Sequence, residues 1–152
     1  IGIAEAAMIT ASIISAQFSI VSLIPRTKAV TRELVMRYGF GHKLASIRST
    51  TLHVLDVEQD PEGCIQTLRE AALLARDEDE AEAILLGCAG FADFAERLES
   101  ELGIPVLDGV VCAVKLAEAM VELGKPTSKY ITYAPPERKV YSGIFEKFGN
   151  AS

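Results

Sequence analysis

The chain has 152 residues and a net charge of -6; 49% of its residues are hydrophobic and 24% charged. That length and balance describe one domain with a packed core and exclude a disordered chain. The acidic excess argues against nucleic acid or an anionic membrane surface as partner, since both reward a basic face.

The opening Ile1 to Ala16 carries Glu5 and no basic leader, so neither a signal peptide nor a membrane span is expected there. Phe18 to Ser22 reads as a strand. Pro25 breaks it, and Lys28 to Tyr38 reads as a helix with Val30, Leu34 and Tyr38 on one stripe. Leu44 to Ser49 is a second strand. Leu52 to Val57 alternates, and either extends the sheet or forms a crossing segment. Gly63 to Ala75 is a helix, followed by the acidic run Asp77 to Glu82, a solvated helix end or loop. Ala83 to Leu86 is wholly apolar, as in a central parallel strand. After the turn Gly87-Cys88-Ala89-Gly90, Phe91 to Leu102 has helical spacing at Phe91, Phe94, Ala95, Leu98 and Leu102, and Gly103 closes it. Pro105 to Leu107 is a short strand. Asp108 can cap a helix whose stripe is Val110, Val114, Ala117 and Val121. From Lys125 the chain reads as loop with one short helix at Gly143 to Phe148. Strand and helix alternate through most of the chain, which predicts an α/β fold: a parallel sheet flanked by helices, with right-handed crossovers.

The chain has three cysteines, Cys64, Cys88 and Cys112, and two histidines, His42 and His53. They form no C-x-x-C pair, so neither a disulfide framework nor a metal site is expected, and free thiols suit the cytoplasm. Cys64 and Cys112 fall on apolar helix stripes and read as core. Cys88 differs. It stands where a buried strand ends and a helix begins, the place where open α/β sheets bind ligands. Unpaired N–H groups at a helix start favour a thiolate and can hold an oxygen that becomes anionic. The small flanks Gly87, Ala89 and Gly90 let a substrate approach. On the residues alone a second reading stands equally open: Cys88 as a small buried hydrophobe.

The segment Ala83 to Val114, AILLGCAGFADFAERLESELGIPVLDGVVCAV, is similar to the second cysteine block of the hydantoin and allantoin racemases, of the wider Asp/Glu/hydantoin racemase group. GIAEAA (Gly2 to Ala7), RYGFGHKLASIR (Arg37 to Arg48) and TSKYITYAPPERKVYSG (Thr127 to Gly143) resemble the same family, so the likeness covers nearly the whole chain. Glutamate and aspartate racemases follow this cysteine with Thr and a His or Glu. Ala89 and Gly90 depart from that pattern, which favours cyclic ureides over free acidic amino acids.

The resemblance implies a two-base racemase of 5-substituted hydantoins that uses no metal, pyridoxal phosphate or nucleotide. One thiolate removes the C5 proton, and a second cysteine returns a proton on the opposite face. Cys88 matches the second family cysteine. Gly87, Ala89 and Gly90 match the turn that holds substrate oxygen, and Glu5 and Ser22 match positions near the family pocket. The family's first cysteine precedes the GIAEAA segment. The resemblance therefore implies that this chain carries only the second one, with 1–107 as a near-complete lobe of a two-lobed pseudo-symmetric fold and 108–152 returning to the other lobe. The missing lobe is expected to leave apolar faces of the last helix exposed. A small-molecule substrate and a homo-oligomer are expected, with no nucleic acid and no membrane as partner. The alternatives are a one-thiol decarboxylase or isomerase of the same superfamily and an inactive small-molecule-binding lobe. A flavodoxin-like electron carrier is disfavoured because Leu23-Ile24-Pro25 offers no Gly-rich phosphate nest.

Overall fold

The computed structural model describes residues 1–137 and 140–148. Its strands are β1 (Phe18–Ser22), β2 (Leu44–Ser49), β3 (Ala83–Leu86) and β4 (Val106–Asp108). They form one parallel sheet in the order β2-β1-β3-β4. Every residue of β1 and β3 is buried, because these central strands are covered on both faces.

The helices are α1 (Ile3–Ile14), α2 (Lys28–Arg37), α3 (Asp56–Gln59), α4 (Pro61–Asp77), α5 (Ala95–Leu102) and α6 (Gly109–Glu122). The period of two along a strand sorts them onto two faces. Phe18, Ile20, Ala83 and Leu85 point to one face and pack with Ala7, Met8 and Ala11 of α1 and Val35 of α2. Val21, Ile84, Leu86 and Val106 point to the other and pack with Ile65, Leu68 and Ala72 of α4 and Leu98 and Leu102 of α5. This is the doubly wound α/β arrangement expected from the alternating pattern.

Local chemistry sets the element ends. The Asp60 carboxylate accepts the Gly63 N–H at 3.0 Å, and Pro61 opens α4. Lys43 Nζ donates to the carbonyls of Ser12 and Ser15 at the carboxyl end of α1. Buried Ser19 is satisfied by Ser46 Oγ at 2.8 Å. Arg48 grips Asp79 through Nε at 2.6 Å and Nη2 at 2.7 Å, and also reaches Glu78. The acidic run after α4 is thereby tied to the edge strand β2. The Arg48 hydrogen bond is the main cause that holds the Asp79 carboxyl below the usual aspartate value.

Several expectations need correction. Ile3–Ile14 is a helix not expected from the sequence pattern, because it is apolar almost all round and shows no clear stripe. On α2 the expected stripe is wrong: Val30 is 69% exposed, Tyr38 lies beyond the helix, and Val35 is the buried residue. Leu52 to Val57 does not extend the sheet; it opens the connection that crosses from β2 past β1 to β3. It turns into α3, because the Asp56 carboxylate accepts the His53 N–H and closes a turn. The helix expected at Phe91 begins instead as a 3-10 turn, Ala89–Phe94, before α5, although Phe91, Leu98 and Leu102 are buried as expected. The last strand lies one residue later than Pro105 to Leu107. On α6 the buried residues are Gly109 and Cys112, while Val110, Val114, Ala117 and Val121 are exposed.

By compactness the chain divides into Ile1–Ala119 and Met120–Ser152. The described residues of the second unit, taken by themselves, are the end of α6 followed by turns and irregular backbone, with a 3-10 turn at Gly143–Phe148 where a short helix was expected. Arg138, Lys139 and 149–152, part of the expected tail, lie outside the described residues. No helix among the described residues is long and apolar enough to cross a membrane.

Candidate active site

The chain leaves β1 outward to β2 and leaves β3 in the opposite direction to β4. Such a reversal opens a crevice at the carboxyl ends of the two central strands, where α/β proteins bind ligands. Ser22 ends β1, Gly87 follows β3, and Asp108 ends β4.

Gly87 is dictated by crowding. Its N–H donates to Val21 O at 2.8 Å, and a Cβ there would lie 3.0 Å from that carbonyl oxygen and 3.1 Å from Ser22 Cα. Cys88 is extended, with φ -146° and ψ 134°, and the 3-10 turn begins at Ala89. The first bond of that turn runs from Phe91 N–H to Cys88 O at 3.1 Å, so the Ala89 and Gly90 N–H groups precede it. Cys88 is half-buried and leans on the α4–α5 core. A Cβ on Gly90 would come within 3.7 Å of the Cys88 sulfur, so the bare glycine keeps that flank open.

Beside this turn, on the α1–α2 face, lies a cavity of about 120 Å³. Ile3, Ala4, Ala7 and Met8 of α1, Thr31, Leu34 and Val35 of α2, and Ile20 and Leu85 of the sheet form its wall. Leu86 to Ala89, Asp108 and Gly109 complete it. The lining is apolar apart from Thr31 and Asp108. Both Asp108 carboxylate oxygens accept N–H groups that open α6, from Val110 at 3.2 Å and Val111 at 2.8 Å. α1 comes this close because position 109 has no side chain: a Cβ there would lie 2.7 Å from Ile3 O.

The structure thus brings Gly87, Cys88 and Ala89 into one cavity wall and sets Gly90 beside the sulfur. Ser22 packs beneath Gly87, outside the wall. Its Oγ lies 3.4 Å from Thr27 Oγ1, which gives its proton to Ile24 O at 2.7 Å. Glu5 sits half-exposed in the first turn of α1, whose residues 3, 4, 7 and 8 face the cavity while Glu5 does not. Cys64 and Cys112 are buried, as expected. Burial pushes the Cys64 thiol up, and the carboxylates of Asp56 and Asp60 push it further. Among the described residues no three His, Cys, Asp or Glu gather as a metal site would require.

Sequence reasoning missed the α1 and α2 wall. The signal on α2 was the i, i+3, i+4 set Thr31, Leu34, Val35, which a stripe drawn through Val30 and Tyr38 hides. Thr50 was also missed. Its hydroxyl donates to Leu23 O at 2.6 Å and accepts from Leu52 N–H, pinning the loop that follows Ser22.

The Asp/Glu/hydantoin racemase family model matches residues 1–117. A hydantoin racemase of Pseudomonas sp. (strain NS671) is 52% identical over 149 residues, covering 98% of this chain and 60% of that protein. One from Paenarthrobacter aurescens is 45% identical, covering 93% of this chain and 60% of that protein. The structure of an allantoin racemase from Klebsiella pneumoniae superposes with a TM-score of 0.88 at 43% identity, covering 99% of this chain and 61% of that one. The chain therefore spans about 60% of the length of the relatives it matches.

Proposed function

This chain belongs to the Asp/Glu/hydantoin racemase family, and from that premise we propose that it supplies the Cys88 side of a cofactor-independent racemase of 5-substituted hydantoins. The observation that carries the reading is the Gly87–Gly90 turn. It sets half-buried Cys88 at the carboxyl end of a central strand, among the residues that line an apolar cavity.

In this reading the Cys88 thiolate takes the C5 proton. The C–H electron pair moves into the ring as an enolate, and the Ala89 and Gly90 N–H groups hold the ring oxygen as its charge grows. Proton return on the opposite face inverts C5. Cys64 and Cys112 are buried and outside the cavity wall. The resemblance sets the family's first cysteine before the GIAEAA segment, so in this reading the second acid–base group lies outside these 152 residues. Residues 1–107 as a near-complete lobe, 108–152 as a return to a second lobe, supporting contacts from Glu5 and Ser22, a homo-oligomer and a cytoplasmic setting belong to the same proposal.

One thiol can exchange a proton without inverting the centre. The test incubates the purified chain with one enantiomer of a 5-substituted hydantoin in D2O, following C5 deuteration and optical rotation. Deuterium should enter at C5 above the buffer rate while rotation holds, and Cys88→Ser should lower the exchange at least about 100-fold. Decay of rotation that depends on Cys88 overturns the single-base assignment. Exchange that ignores Cys88 overturns the reading itself.

One cysteine at the wall also fits a one-thiol decarboxylase of the family. That reading predicts Cys88-dependent release of CO2 from a substituted malonic acid and no exchange at C5 of a hydantoin.

A further inference from the structure

We propose that the cavity beside Cys88 selects a compact, uncharged aliphatic group at C5 of the hydantoin, over both the ureido group of allantoin and an aromatic ring. This rests on the function proposed above, because the cavity and the thiol share the Gly87–Ala89 turn. In this proposal the C5 carbon sits at that turn, with its side chain in the cavity and its hydrogen toward Cys88.

Size comes first. The volume is about 120 Å³. An apolar cavity that accepts benzene measures about 150 Å³, and water occupies about 30 Å³ per molecule in the liquid. The space therefore suits about four heavy atoms, the size of an isobutyl group, and falls short of a benzyl group.

Polarity separates isobutyl from ureido, which is of similar size. A ureido group brings three N–H bonds and one carbonyl, each of which must be matched when it leaves water. Met8, Ile20, Leu34, Val35 and Leu85 offer nothing to match them. Thr31 offers one hydroxyl, and each Asp108 carboxylate oxygen already accepts one of the first N–H groups of α6, which makes it a weaker acceptor for a further N–H. An aliphatic group makes no such demand and gains from every buried carbon.

Calorimetric titration of the purified chain with 5-isobutylhydantoin, 5-benzylhydantoin, allantoin and unsubstituted hydantoin tests this. The isobutyl compound should bind at least about tenfold tighter than the other three. Leu34→Phe fills the space and should erase that margin. Thr31→Ile fills the same space from the preceding turn of α2, so a folding defect in one variant does not decide the result. Equal affinities, or tighter binding of allantoin or of the benzyl compound, overturn the selectivity, and Cys88-dependent exchange at C5 then leaves the parent reading standing. Binding of none of the four overturns both.

Discussion

The two faces of the sheet are built differently. On the α4–α5 face, Phe91, Leu68, Leu98, Ile84 and Val21 are wholly buried in one continuous cluster. On the α1–α2 face a smaller cluster surrounds Phe18, Met8 and Val35, and it stops short of the strand ends, where the cavity begins. Both faces meet at the Gly87–Gly90 turn. The dense face fixes where Cys88 stands, and the looser face leaves room beside it. Rigidity behind Cys88 and space beside it come from opposite sides of one strand, because successive residues point to opposite faces.

The contrast breaks most sharply under truncation. Phe91→Ala should cost about 4 kcal/mol, since a filled site cannot collapse around the void. Leu34→Ala should cost about 1–2 kcal/mol, because that side chain is half-buried at an existing cavity. Urea melts of the two variants measure the gap, and equal losses would mean that the faces are packed alike.

Next in size are the glycines where the faces approach. Gly109→Ala forces the start of α1 away from α6 and should cost about 2–3 kcal/mol. Gly87→Ala presses on the backbone of β1 less severely and should cost about 1–2 kcal/mol. If Gly109→Ala proves the milder of the two in the same melts, the contact between α1 and α6 is softer than its spacing implies.

The smallest effect sharpens the comparison at the sheet edge. Arg48 depresses the Asp79 carboxyl below 3.8. A depressed carboxylate stabilises the fold fully above its unfolded value, and that contribution is lost as pH falls through the folded value. Asp79→Asn should therefore cost about 1 kcal/mol at pH 7. The difference in melting temperature between the two proteins should shrink as pH falls below about 4. A difference that persists unchanged to pH 2 would show that the effect does not come from the carboxylate charge.

β3 was legible as a short apolar run between Glu82 and Gly87 and β1 as a mostly apolar one, and both stand where Ala83 to Leu86 and Phe18 to Ser22 placed them. Asp108 was legible as a cap from its place before an apolar helix. The position of Cys88 at the end of a central strand was legible for the same local reason. Helix faces were less so. Val30 and Val114 look like core by spacing and are exposed, because which stripe is buried depends on what packs against it.

The sequence by itself therefore determined the α/β class, the strand positions, the turn that carries Cys88 and the resemblance to the racemases. These rest on local propensity, period and motif, which act over a few residues. Tertiary structure alone decided the strand order β2-β1-β3-β4, the approach of α1 to Gly109 and the apolar cavity that α1 and α2 close over Gly87. A cavity is the space that segments from residue 3 to residue 109 fail to fill together, and no stretch of sequence contains it.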